Sequence, residues 1–437
     1  MKWLFSAHKA TKCFLHSRRY HLYNGFCPRK FLAFNLVKWS KSKQMQFIPL
    51  YSGHYYSTTT INSTESSHGL VNSETIENDH KKVDVEIFSR ETIKPPSPTP
   101  NHLRTFNLSI IDQNMYDVYI PFILFFPNIN KASVAADVAM KRSKHLKESL
   151  AEILPRFYPL AGKVMDNFHI ECNDEGIYYT EARVNHTLTD FLGDPDDETV
   201  RGLMLQSCCI GQSSIGNYVI GIQVNIFKCG GIGLSVSVSH KIVDGQTFYI
   251  FMKAWTAAAR RSSITISPSF VASQIFPNNP SLEYSAPSKL LATKMLCTKR
   301  IVFDSTALAL LKAQPVTSAS SSQPPTRTVA TTAVVWKAVA NAASKVRPFG
   351  PKSPHVIFPV VNLRKRASPP IPKESIGNII NAAAAFCFPA SHLDLPTMMG
   401  ELRESIAKMD SNYIETMKGE KGHETYNEIQ KKTKPSD

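Results

Sequence analysis

Residues 218–261 constrain the fold more than any other stretch of this 437-residue chain. Tyr218, Ile220, Ile222, Val224 and Ile226 alternate with Val219, Gly221, Gln223 and Asn225, Cys229-Gly230-Gly231 supplies a turn, and Leu234, Val236 and Val238 alternate with Ser235, Ser237 and Ser239. A period of two on either side of a glycine turn predicts a β-hairpin. The period then changes. Phe248, Phe251, Met252 and Trp255 recur at i, i+3, i+4 and i+7, which predicts a helix, running to Arg261, with one apolar face to lay on that sheet. A sheet and a helix sharing an apolar interface is an α/β layer.

Between the strand and the helix stands His240-Lys241-Ile242-Val243-Asp244-Gly245. An imidazole ionises near neutrality, so His240 at a rigid strand end can take a proton from an alcohol and return it to a thiolate leaving group; such catalysis contributes about 10²- to 10⁴-fold. Asp244 is too far along the chain to relay charge without turning towards the ring, and is read as the partner of a buried arginine that fixes the loop. Gly245 is expected to let the backbone turn tightly, clear of substrate, before the helix starts. A second HxxxD string, His186 to Asp190, lacks the glycine, runs into Phe191 and has no apolar strand before it. It reads as the start of a helix.

Other chemistries find little support. The eight cysteines (13, 27, 172, 208, 209, 229, 297 and 387) form no CxxC pair, so neither a metal site nor a disulfide framework is indicated. No Walker A loop or GxGxxG is present. Apolar residues make up 43% of the chain, enough for two cores, and no apolar run reaches the length of a membrane span. The net charge is +15, but ten Lys or Arg and no acid precede Glu65. Residues 1–64, outside the part read as folded, therefore carry a net charge equal to two-thirds of the excess, and the charge does not indicate nucleic-acid binding, for which no recognisable pattern exists. A basic, acid-free, Ser/Thr-bearing start has the composition of an organellar transit peptide; the other reading is a disordered or over-extended tail, with Met45 as an alternative start.

Five segments, Glu86 to Pro95, Tyr158-Pro159-Leu160-Ala161-Gly162, His240 to Gly245, Val361 to Arg366 and Ser375-Ile376-Gly377-Asn378, together resemble the plant BAHD acyltransferases, from about Val83 onward. The opening and Pro98 to Leu103 are most similar to the branch containing vinorine synthase and related alkaloid acetyltransferases. The resemblance implies a two-domain α/β fold like that of chloramphenicol acetyltransferase, with mixed β-sheets flanked by helices and an active-site channel at the interface. It implies acyl-CoA, here acetyl-CoA, as co-substrate, a small-molecule hydroxyl acceptor such as an alkaloid, His240 as base, no bound cofactor and no metal. It also favours Arg364 over Arg366 as the partner of Asp244, the alternative for this basic turn being solvent or the phosphates of CoA. A monomer in the cytoplasm is the family expectation; mitochondrion or plastid is the alternative if residues 1–64 are a transit peptide.

The expected organisation is an extension over 1–82, a first acyltransferase domain over 83–262, a crossover over 263–295 and a second domain over 296–437. Strands are predicted over Phe106 to Ile110, Tyr116 to Phe126, within Lys163 to Tyr179, over Lys299 to Phe303, His355 to Asn362 and Ile379 to Phe388. Helices are predicted over Ser133 to Leu154, Ser305 to Gln314 and Thr331 to Ala343, with a loop over Thr317 to Pro325. The family's second signature, Asp-Phe-Gly-Trp-Gly, does not occur before Asp437. The second domain is therefore expected to be incomplete, and a truncated, inactive paralogue that at most binds ligands or partners is the alternative to an enzyme. A carrier-dependent condensation domain shares HHxxxDG, but Ser239 stands in place of its first histidine.

Overall fold

The computed structural model describes residues 48–49, 83–128, 135–193, 195, 197–205, 218–281, 301–314, 323–346, 354–388 and 394–433. In chain order, β1 (Ile48–Pro49) and β2 (Val85–Ile93) precede β3 (Thr105–Asn107), α1 (Ile110–Gln113), β4 (Tyr119–Phe126) and α2 (Ala135–Ile153). Next come β5 (Lys163–Val164), β6 (His169–Glu171), β7 (Ile177–Val184), α3 (Leu188–Gly193) and α4 (Asp197–Gly202). The hairpin β8 (Ile220–Phe227) and β9 (Ile232–Ser239) leads into α5 (Gly245–Ala259) and the short α6 (Ala272–Ile275).

Six strands form one sheet in the order β1-β4-β9-β8-β7-β2, antiparallel at every pairing except the parallel β7 and β8. The hairpin lies in the middle of this sheet, and α2 and α5 cover one face. There Ile222, Val224, Val236 and Val238 meet Leu150, Phe157, Phe251 and Trp255, all buried. The Trp255 indole donates to the Leu146 carbonyl (3.1 Å), which ties α5 to α2. Burying one such large side chain contributes about 1.5–3 kcal/mol, so this face holds β9, and with it His240, firmly. The other face is buried too. Ile123, Phe227 and Val184 pack under α3 and α4, and Ser235, Ser237 and Ser239 are each at most 1% exposed. The apolar/polar alternation thus separates two buried layers rather than core from solvent.

The remainder is built from smaller pieces: α7 (Ser305–Lys312), α8 (Arg327–Val346), β10 (His355–Ile357), β11 (Val360–Asn362), β12 (Ile380–Ala382), β13 (Ala385–Cys387), α9 (Leu395–Ala407), α10 (Ser411–Met417) and α11 (Gly422–Thr433). Its strands form two ribbons, β10 with β13 and β11 with β12, both antiparallel. Val356, Phe358, Val360, Phe386 and Phe388 are exposed on or beside them. The two halves interlock. Ile110 and Ile111 of α1 pack with Phe276, Leu363, Ile379 and Met417, whereas Ile376 enters the core beneath the six-stranded sheet.

Several expectations are corrected. Glu86 to Pro95 is not only a motif: β2 pairs along β7 at the sheet edge. Over Phe106 to Ile110 the strand stops at Asn107, because Ser109 and Asp112 form a reciprocal capping box that starts α1. Ile301 to Phe303 carry no strand pairing; Lys299 and Arg300 lie outside the described residues, as do residues 1–47 of the basic extension and most of the Thr317 to Pro325 loop. Within the extension, Ile48 and Pro49 pair with Ile123 and Phe122 at the sheet edge. The described part of the crossover, residues 263–281, is packed: Phe276 is fully buried and Ser269 bridges Ser375. Towards the end of the described residues Gly422–Thr433 form α11, which buries Tyr426.

Candidate active site

His240 follows the last residue of β9. Its backbone N–H donates to the Val118 carbonyl (2.9 Å) and its carbonyl accepts from Asn378 Nδ2 (2.7 Å), so the histidine backbone is held from β4's side and from the second half. The side chain is half-buried, and Nδ1 is buried without a hydrogen bond. Burial pushes the imidazole below its ordinary pKa; the Asp244 charge and polar contacts with its own carbonyl and the Asn378 side chain act in the opposite direction, while Lys241 adds to the lowering. The imidazole is therefore neutral at neutral pH, the form a general base needs.

The intervening turn is nailed down by Ile242 and Val243, at most 2% exposed, whose N–H groups both donate to the Ser239 carbonyl. Asp244 then caps α5, its Oδ1 accepting from Thr247 N (2.7 Å). Arg364 grips the same carboxylate as a fork, Nη1 to Oδ2 at 2.7 Å and Nη2 to Oδ1 at 3.2 Å. Both side chains are at most 2% exposed. Arg364 Nη2 also donates to the carbonyls of Ser375 and Gly377, and Ile379 N donates to Asp244 Oδ2. Two charges this deep cost several kcal/mol each to desolvate, and bidentate geometry with every carboxylate oxygen satisfied is what offsets it. Asp244 is thus directed away from any relay and into the joint between the halves.

Arg366 takes a different role, donating from Nη1 to the carbonyls of Ile406 and Met409 at the end of α9. Gly245 departs from its expected reason. It opens α5, has no left-handed φ and is exposed, and a Cβ built there would meet nothing within 4 Å. The residue that does need left-handed backbone is Gly377 (φ +114°); it exchanges two hydrogen bonds with Thr247 Oγ1 and presents Asn378 to the site.

Sequence reading missed three residues of the network around His240. Asp112 is buried and bonded to Asn378, and its signal was present as the S-x-x-D pattern at Ser109. Asn378 stood in a quoted motif without a role. Lys241 is 4% exposed, donating from Nζ to the Gln113 carbonyl and Asn167 Oδ1; burial pushes its amine down to about 8 against the attraction of Asp117 and Asp112. Among the described residues, no cluster of His, Cys, Asp and Glu could hold a metal ion, and no helix is long and apolar enough to cross a membrane.

Comparison with known proteins agrees with this geometry. A limonoid 7-O-acetyltransferase of Citrus sinensis is 35% identical over 354 residues, 77% of each chain. Stemmadenine O-acetyltransferase of Catharanthus roseus is 34% identical over 337 residues, 76% of this chain and 78% of that protein. The crystal structure of vinorine synthase superposes with a TM-score of 0.65 at 28% identity, covering 81% of both chains. The model of the Transferase family matches residues 83–422. With its relatives, its fold and most of its length in agreement, the chain belongs to the Transferase (BAHD) family of acyl-CoA-dependent O-acyltransferases.

Proposed function

We propose that this protein moves an acetyl group from acetyl-CoA to a hydroxyl of a plant specialised metabolite of the alkaloid class, with His240 as general base. The observation that carries the reading is the seating of His240 at the end of a buried strand, beside a loop clamped by the Asp244–Arg364 fork. The acceptor hydroxyl gives its proton to Nε2 as its oxygen attacks the thioester carbonyl carbon. The tetrahedral adduct collapses with cleavage of the C–S bond, and the CoA thiolate takes the proton back from the imidazolium. No acyl-enzyme forms. Asp244 and Arg364 hold the base in place and join the halves. The acetyl donor and a hydroxyl acceptor are supported by relatives named as O-acetyltransferases, one acting on stemmadenine and one on a limonoid.

The test is incubation of the purified protein with acetyl-CoA, malonyl-CoA or a hydroxycinnamoyl-CoA against separate panels of alkaloid and limonoid alcohols, read by mass spectrometry. An acetylated alkaloid is expected. Malonylation or hydroxycinnamoylation in preference to acetylation overturns the donor, and acetylation confined to limonoids overturns the acceptor class.

A further inference from the structure

The Asp112 carboxylate is 1% exposed and accepts four hydrogen bonds. Oδ2 accepts from Ser109 N (2.9 Å) and Oγ (2.7 Å), and Oδ1 accepts from Asn378 N (2.7 Å) and Nδ2 (2.8 Å). Burial pushes the Asp112 carboxyl up, and the four donors pull it back down; as a carboxylate it can only accept, so the nitrogen end of the Asn378 carboxamide faces it. The second Nδ2 proton goes to the His240 carbonyl (2.7 Å). Both amide protons are then committed, and what remains is Oδ1, an acceptor, buried with no hydrogen-bond partner.

The neighbouring ring presents the complement. His240 Nδ1 is also buried without a hydrogen bond, and the Asn378 side chain stands beside that ring. A buried donor or acceptor left unmade costs about 1–3 kcal/mol, and catalytic hydrogen bonds that are loose in a ligand-free protein commonly tighten when substrate is bound. We infer that Asn378 is a positioning residue which sets the tautomer of His240: its Oδ1 accepts the proton on Nδ1, leaving the lone pair on Nε2 for the acceptor hydroxyl, and Asp112 holds the amide the right way round. The arrangement has the logic of a base and its orienter, with a neutral amide in place of a carboxylate and the charge one residue further back. It rests on His240 being the base.

The competing acceptor for the Nδ1 proton is the ring's own carbonyl, and the test separates the two. In full-length protein labelled with ¹⁵N-histidine, the His240 nitrogens are assigned by their loss in His240→Ala, and the tautomer is read in wild type, Asn378→Ala and Asp112→Asn. The wild type is expected as the Nδ1–H tautomer. In Asn378→Ala a substantial Nε2–H population appears, with kcat down about tenfold or more, a part of the 10²- to 10⁴-fold contribution of general-base catalysis, and both KM values within about twofold. Asp112→Asn offers the amide a donor, lets it flip, and shifts the tautomer in the same direction; the double variant is no worse than Asn378→Ala. If Asn378→Ala does not fold, Asp112→Asn decides, since it preserves shape. An unchanged Nδ1–H tautomer in the folded variants overturns the inference in favour of the carbonyl. A tautomer shift in Asn378→Ala, in a chain whose His240→Ala variant still transfers acetyl groups, overturns the base assignment instead.

Discussion

The chain contains HxxxD twice, and the two copies share nothing but spelling. His186 to Asp190 sits at a surface helix start: His186 bonds Asn185, Thr187 Oγ1 accepts from Asp190 N, and Asp190 is exposed in the first turn of α3, where a negative charge favours the helix dipole. His240 to Asp244 is built into the joint of the molecule. The histidine leaves a strand buried on both faces, and the aspartate is fully enclosed by Arg364, Thr247 and Ile379. The residue after each aspartate makes the same point: Phe191 is buried in a core, whereas Gly245 faces open space. A short motif carries chemistry only when its flanks pin it and something distant completes it.

The largest difference should appear in turnover. His240→Ala is expected to lower kcat by at least about 10²-fold with melting unchanged, and His186→Ala to leave both unaltered. Equal effects from the two variants would dissolve the distinction. Next in size is stability. Asp244→Ala strands the Arg364 guanidinium in the interior, a loss of about 3–5 kcal/mol, and activity falls with it; Asp244→Asn is milder because it keeps the shape and one acceptor oxygen. Asp190→Ala, at the surface, should stay within about 0.5 kcal/mol. If the Asp244 variants melt like wild type yet are inactive, the aspartate acts chemically and the structural assignment falls.

The central hairpin and α5 were legible because their periods of two and 3.6 are long and uninterrupted, and both are found where the pattern puts them. The edge strand β2 was not, because a strand open to solvent on one side tolerates Glu86, Arg90 and Glu91 and loses its alternation. The same holds for the tail, whose helices bury only isolated residues such as Ile414, Met417 and Tyr426. At the site, His240 stood out at its strand end. Its supports did not: Arg364 and Asn378 lie 120 and 138 positions from their partners, and no local pattern encodes such a meeting. Asp112 was masked because its capping partner Ser109 was read as part of the strand Phe106 to Ile110, although a capping box was spelled there.

The pH dependence sharpens the contrast more quietly. Burial lowers the pKa of His240, opposed by Asp244 and assisted by Lys241, so the folded state binds fewer protons than the unfolded chain between the lowered value and about 6.5. This contribution to stability is present above about pH 6.5 and is lost as the pH falls through that window. The same shift keeps the base unprotonated to lower pH, so the acidic limb of kcat/KM should lie below about pH 6.5. A limb at or above that value would mean that the charged imidazole is stabilised and that Asp244 outweighs burial.

The smallest expected effect tests what the space at Gly245 is for. The position opens α5 with ordinary backbone, and a Cβ there has no protein atom within 4 Å. Alanine is favoured over glycine in helices by up to about 1 kcal/mol, less at a first-turn position, so Gly245→Ala should leave melting unchanged or raise it slightly. On structure alone it is a neutral substitution. If the open space is where acceptor or thioester lies, the added methyl instead shows in KM, with kcat and the Asp244 cap intact. A stable variant with wild-type KM for both substrates would mean that the glycine is not reserved for substrate, and that the site's clearance is set elsewhere than at the residue following the aspartate.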